Sequence, residues 1–99
     1  MSAEKLALWL KNDQEFRLVD VGEQPLLSGD LRKKSLHLPL ETLRDRIDEL
    51  LHKDSPIVLY SRSGRRSFLA QQALRQRGLK EVYHLDGGLA TFNLVAAKE

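Results

Sequence analysis

Ile57-Val58-Leu59-Tyr60-Ser61-Arg62-Ser63-Gly64-Arg65-Arg66-Ser67 passes from an unbroken apolar run to a polar turn with a glycine at its centre. A short run with no polar alternation is what a parallel strand covered on both faces requires, so residues 57–60 are expected to lie at the middle of a sheet. The segment that follows places Ala70, Ala73 and Leu74 on one helical face. Arg75 and Arg77 suit the negative end of that helix, and Gly78 stands where a terminating glycine belongs. Residues 61–66 therefore join the carboxyl end of a buried strand to the start of a helix.

The same alternation continues outward in both directions. Leu6, Trp9 and Leu10 mark one helix face in residues 3–11, with Ser2 as N-cap and Glu4 in the first turn. Residues 16–21, Phe-Arg-Leu-Val-Asp-Val, are dense in strand formers and stop at Gly22. Residues 22–35 mix Gly, Pro, Ser and charge without a period and are expected to form a long connection, with a short strand at 36–38 after it. Leu40, Leu43, Ile47, Leu50 and Leu51 then form a helical stripe opposite Glu41, Arg44, Asp45, Asp48 and Glu49, ended by Asp54-Ser55-Pro56. Residues 82–85 read as the last strand, Asp86-Gly87-Gly88 as a turn, and 89–97 as a closing helix. Strands alternating with helices predict an α/β fold of three layers, α/β/α, with a central, mainly parallel sheet of four to five strands flanked by helices. One domain is expected over residues 1–99.

Composition narrows the classes of function. Hydrophobic residues at 41% and charged residues at 30% are values of an ordinary packed domain. The net charge of +2 is too small to point to nucleic acid, and the arginines between 65 and 77 with Arg32-Lys33-Lys34 lack interleaved aromatics. The apolar stretches are short, and Glu4, Lys5, Lys11, Asp13 and Glu15 interrupt the beginning of the chain. Neither a membrane span nor a signal peptide is expected, and a cytoplasmic location is. Cysteine is absent, which removes disulfides, thiolate metal ligands and thiol nucleophiles. His37, His52 and His84 are scattered and are assigned no catalytic or metal-binding role; no metal and no cofactor are expected.

The chemistry is expected at residues 61–66. Ligands of such sheets bind outside the carboxyl ends of the central strands. A tight turn there aims backbone N–H groups and the positive end of the helix dipole at one point. Gly64 lets the backbone curl, while Arg62, Arg65 and Arg66 supply charge whose planar fork suits an oxyanion. An arbitrary basic run would be a solvated surface loop. Strand-to-helix placement with a central glycine favours an anion pocket.

In order and spacing, several stretches resemble the rhodanese-like family: Leu18-Val19-Asp20-Val21, Gly29 and Leu31, Leu38-Pro39-Leu40, Ile57-Val58-Leu59-Tyr60, Arg62-Ser63-Gly64-Arg65-Arg66-Ser67, and His84-Leu85-Asp86-Gly87-Gly88 with Phe92. The resemblance implies a sulfurtransferase scaffold of the single-domain thiosulfate type. Its first loop residue is a cysteine that takes a sulfane sulfur from a donor such as thiosulfate, holds it as a persulfide and passes it to a thiol or cyanide. Here that position is Ser61. The loop of residues 61–66 has the six-residue length of the sulfurtransferases, whereas the related arsenate reductases and dual-specificity phosphatases use one more. Ser63, Gly64 and the three arginines are the implied anion-binding residues, with Asp20 and Ser67 in support. Asp20 is expected to order neighbouring loops rather than to act in catalysis.

Ser61 bears directly on activity. A thiol ionises near pH 8.5 or below in such a pocket, but a serine hydroxyl does not, and it forms no persulfide. Activation of serine would need an adjacent general base, and the loop contains none. The chain as written is thus expected to be inactive in sulfur transfer. Either the serine replaces a cysteine of an active enzyme, or it is native and the domain is a non-catalytic module that binds an oxyanion or a protein partner through the basic loop. Gly22 in place of the family's arginine, Gly29-Asp30-Leu31-Arg32-Lys33-Lys34 in place of Gly-His-Ile-Pro-Gly-Ala, and Phe92 in place of a tryptophan are further departures.

Overall fold

A computed structural model of the chain describes residues 1–23, 34–51 and 55–96. Most of the expected connection at 22–35, together with His52 and Asp54, lies outside the described residues. The elements are α1 (Ala3–Lys11), β1 (Arg17–Asp20), β2 (Ser35–His37), α2 (Leu40–Arg46), α3 (Asp48–Leu51), β3 (Ile57–Tyr60), α4 (Arg65–Gln76), β4 (Val82–His84) and α5 (Gly88–Ala96). Among these, no helix is long and apolar enough to cross a membrane.

The four strands form one parallel sheet in the order β2-β1-β3-β4. Val19 of β1 pairs with Leu36 on one side and Leu59 on the other, and Leu59 pairs with His84. Strand β3 is buried at all four positions, as its unbroken apolar run demands. Successive residues serve opposite faces. Ile57 and Leu59 join Val19 and Val82 against Leu43, Leu50, Ala70 and Leu74 from α2, α3 and α4 and against Ile47 between α2 and α3. Val58 and Tyr60 join Leu18 and Leu85 against Ala3, Leu6 and Phe92 from α1 and α5. Two apolar clusters separated by the sheet make the three layers.

Local signals fix most boundaries. Ser2 caps α1 by accepting the Lys5 N–H at 3.1 Å. Helix α4 ends where Arg77 and Gly78 donate to the carbonyls of Leu74 and Arg75. The helix expected from Leu40 to Leu51 is divided at Ile47, where Leu50 N–H donates three residues back to the Ile47 carbonyl at 2.9 Å. The backbone of Ile47 stays right-handed, so the turn tightens without breaking the apolar stripe. At the β4 edge, the Val82 carbonyl accepts from Gln71 Nε2 at 2.8 Å and Arg75 Nη2 at 3.4 Å.

Candidate anion site

Strands β1, β3 and β4 are parallel, so their carboxyl ends lie on one rim of the sheet, and residues 61–66 leave the central one. Gly64 is the N-cap position of α4, at φ 96°, and offers no side chain to the helix start. Ser61 supplies what is missing. Its Oγ, in a residue only 2% exposed, accepts the N–H of Gly64 at 3.1 Å and of Ser67 at 3.3 Å. The same hydroxyl donates to Ser67 Oγ at 3.3 Å, and Ser67 Oγ donates to the Gly64 carbonyl at 3.0 Å. The first N–H groups of a helix have no partner within it. The backbone N–H groups of Arg62, Ser63, Arg65 and Arg66 have no acceptor among the described residues. They are open donors beside a closed hydroxyl network.

The loop is held from beneath by α5. Leu89 N–H donates to the Ser61 carbonyl at 2.8 Å and Ala90 N–H to the Arg62 carbonyl at 3.2 Å. This approach leaves no room for a Cβ at Gly88, which would stand 2.5 Å from both carbonyl oxygens and 2.6 Å from Gly64 N. The Asp-Gly-Gly sequence thus serves the loop as well as its own turn. Two adjacent glycines before a helix are the visible signal of that close approach.

The arginines divide into two kinds. Arg62 and Arg65 are exposed and form no ion pair among the described residues. Arg66, expected at the anion from its place in the sequence, has its guanidinium committed elsewhere: Nε donates to the Val21 carbonyl at 2.9 Å, and Nη1 and Nη2 each reach an oxygen of Glu41 at 2.7 Å. Glu23 lies 3.9 Å away. Glu41, which reads in the sequence as part of a solvated helix face, is therefore a member of the site's charge balance. Asp20, 1% exposed, accepts the Gly22 N–H at 2.9 Å, which orders the chain leaving β1.

Neither described histidine, His37 or His84, bonds Ser61. His37 Nε2 meets the Gly22 carbonyl at 2.8 Å. His84 stands edge-on to Phe68, and burial pushes its imidazole pKa down, aided by the amino-terminal ammonium and Arg75 and opposed by Asp86. Ser61 thus has no base beside it among the described residues.

The hydrogen bonds from Arg66, with Glu41's own backbone N–H, hold the Glu41 carboxyl well below the usual carboxylate range, at about 2. The folded value lies below the ordinary one of about 4.3, so the pair's contribution is complete above that value and is lost as pH falls from there toward 2. A carbon-detected NMR titration should place the Glu41 midpoint near 2, with return to the ordinary range in Arg66→Gln. An ordinary midpoint in the parent chain would mean that the pair does not hold in water.

Comparison with known proteins bears on this arrangement. A family model described as Rhodanese-like domain matches residues 2–94. A sulfurtransferase of Allochromatium vinosum is 32% identical over 89 residues, which cover 90% of this chain and 82% of that protein. The thiosulfate sulfurtransferase GlpE of Coxiella burnetii is 31% identical over 88 residues, 88% of this chain and 81% of its own. Among solved structures, reduced CoADR-RHD of Bacillus anthracis superposes with a TM-score of 0.78 at 26% identity; 99% of this chain is covered, but it spans only 17% of that longer chain.

Proposed function

The chain belongs to the rhodanese-like family, and on that premise we propose that residues 61–66 form a receptor for a small sulfur oxyanion such as thiosulfate. With Ser61 in place, the site binds the anion without forming a persulfide. The observation that carries this reading is the set of N–H groups on Arg62, Ser63, Arg65 and Arg66 left open among the described residues, beside the guanidinium groups of Arg62 and Arg65, which form no ion pair among them. Peptide N–H groups and a helix start aimed at one point favour negative charge, and the two arginines match a dianion. The names of the relatives, sulfurtransferase and thiosulfate sulfurtransferase, support thiosulfate as the anion.

A calorimetric titration with thiosulfate, followed in parallel by the amide resonances of residues 61–67, tests this. One site is expected, weakened roughly tenfold by Arg65→Ala, the size of one charge-assisted hydrogen bond, and weakened by salt. Absence of both heat and amide shifts would remove the anion-receptor reading.

A second reading has its own observation. Phe68 and Leu69, 43% and 44% exposed, follow the loop directly on α4. Apolar side chains beside uncompensated arginines suit a protein partner that presents acidic and apolar groups to the loop. Loss of partner binding in Phe68→Ser with thiosulfate affinity retained would separate the two readings.

A further inference from the structure

Helix α4 begins against the rules of helix electrostatics. Its first turn holds Arg65 and Arg66 and no acidic residue, although the positive end of a helix disfavours cations. Anions must be supplied from elsewhere. Glu41 supplies one, from the first turn of α2, and its two oxygens take both terminal nitrogens of Arg66 at 2.7 Å each. The arrangement is anchored independently of Glu41, because the Val21 carbonyl accepts both Arg66 Nε at 2.9 Å and the Leu40 N–H at 3.2 Å. One carbonyl thereby joins the end of β1 to the starts of α2 and α4.

We propose that Glu41 sets the charge of the anion that residues 61–66 accept, by neutralising Arg66 and leaving Arg62 and Arg65 as the cations that face the ligand. The inference rests on the anion-receptor reading above and adds to it a specificity-determining residue outside the loop. With Glu41 present, the loop's arginines carry two uncompensated positive charges, which match a dianion. With glutamine at 41, Arg66 stays on the Val21 carbonyl and keeps only the looser contact with Glu23 at 3.9 Å and the field of Asp20, so much of its charge is added to the other two. Coulomb energy scales with ligand charge, so a dianion gains twice as much, in the logarithm of affinity, as a monoanion.

The test compares sulfate with nitrate by calorimetry at low ionic strength, on the parent chain and on Glu41→Gln. Glu41 is more than half exposed, so the fold should tolerate the change. Glu41→Gln is expected to tighten sulfate about tenfold and nitrate about threefold, with most of both gains lost in molar salt. Glu41→Asp, which keeps the carboxylate, should retain the parental sulfate-to-nitrate ratio, and Arg66→Gln added to Glu41→Gln should cancel the gain. Equal changes for both anions, or weaker binding of both, would show the pair only shaping the loop and would overturn the proposal. Sulfate binding by the parent with no change in Glu41→Gln overturns Glu41's role alone. If neither chain binds sulfate or nitrate, the receptor reading is overturned along with it.

Discussion

Ser61→Cys is expected to turn a chain with no measurable thiosulfate-to-cyanide sulfur transfer into an active one, a gain on the order of a thousandfold or more, the usual scale for restoring a missing nucleophile. The atom at the end of side chain 61 already receives the N–H groups of Gly64 and Ser67 at 3.1 and 3.3 Å and lies 3.3 Å from Ser67 Oγ. Donors so placed stabilise an anion at that atom, so a thiol there should ionise below its ordinary value of about 8.5. Thiolate attack on the outer sulfur of thiosulfate forms one S–S bond as another breaks, and sulfite departs with the electron pair. Cyanide then removes the sulfur as thiocyanate and restores the thiolate. A serine alkoxide has no comparable route, since the hydroxyl stays protonated near neutrality. If Ser61→Cys binds thiosulfate but transfers nothing, the loop holds anions without directing their sulfur at residue 61.

The second large effect is structural. Gly88→Ala should destabilise the fold by about 3 kcal/mol and lower the melting temperature by more than about 10 °C. The new Cβ would stand 2.5 Å from the carbonyls of Ser61 and Arg62 and 2.6 Å from Gly64 N, all backbone atoms that cannot swing aside, at a φ of 66°. Gly78→Ala provides the comparison: φ is 95°, yet nothing lies within 4 Å of the added atom, so only backbone strain of about 1 kcal/mol is expected. Thermal unfolding of both variants separates contact from strain. Equal losses would mean that α5 and the loop are not in close contact.

Much of this was legible in the residues. The apolar run at 57–60 with its glycine-centred sequel placed a buried strand, a turn and a helix start correctly, because burial on two faces and the need for a positive φ each leave few alternatives. The division at Ile47 was not legible. Its residues stay right-handed and the stripe stays apolar, so only a hydrogen bond records the change. Nor could spacing separate Arg66 from Arg62 and Arg65. That distinction depends on Glu41, 25 residues away, which as a charged residue opposite an apolar stripe carries no sign of a partner. The N–H groups of Leu89 and Ala90 were invisible for another reason: backbone donors look the same in every residue, and only the glycines beside them marked the contact.

An open sheet also has rims where its pairing stops, and an unpaired rim invites the strand of another molecule. On β4 the Val82 carbonyl is already taken by the side chains of Gln71 and Arg75, reaching over from α4. The helix that begins after residues 61–64 thus shields part of the sheet's margin, where an incoming strand would have to displace a buried amide and a guanidinium before it could pair. The next outward carbonyl, that of His84, is taken by the amino-terminal ammonium at 2.7 Å, so the twelve-residue helix that follows residues 61–64 shares the shielding of that margin with Met1.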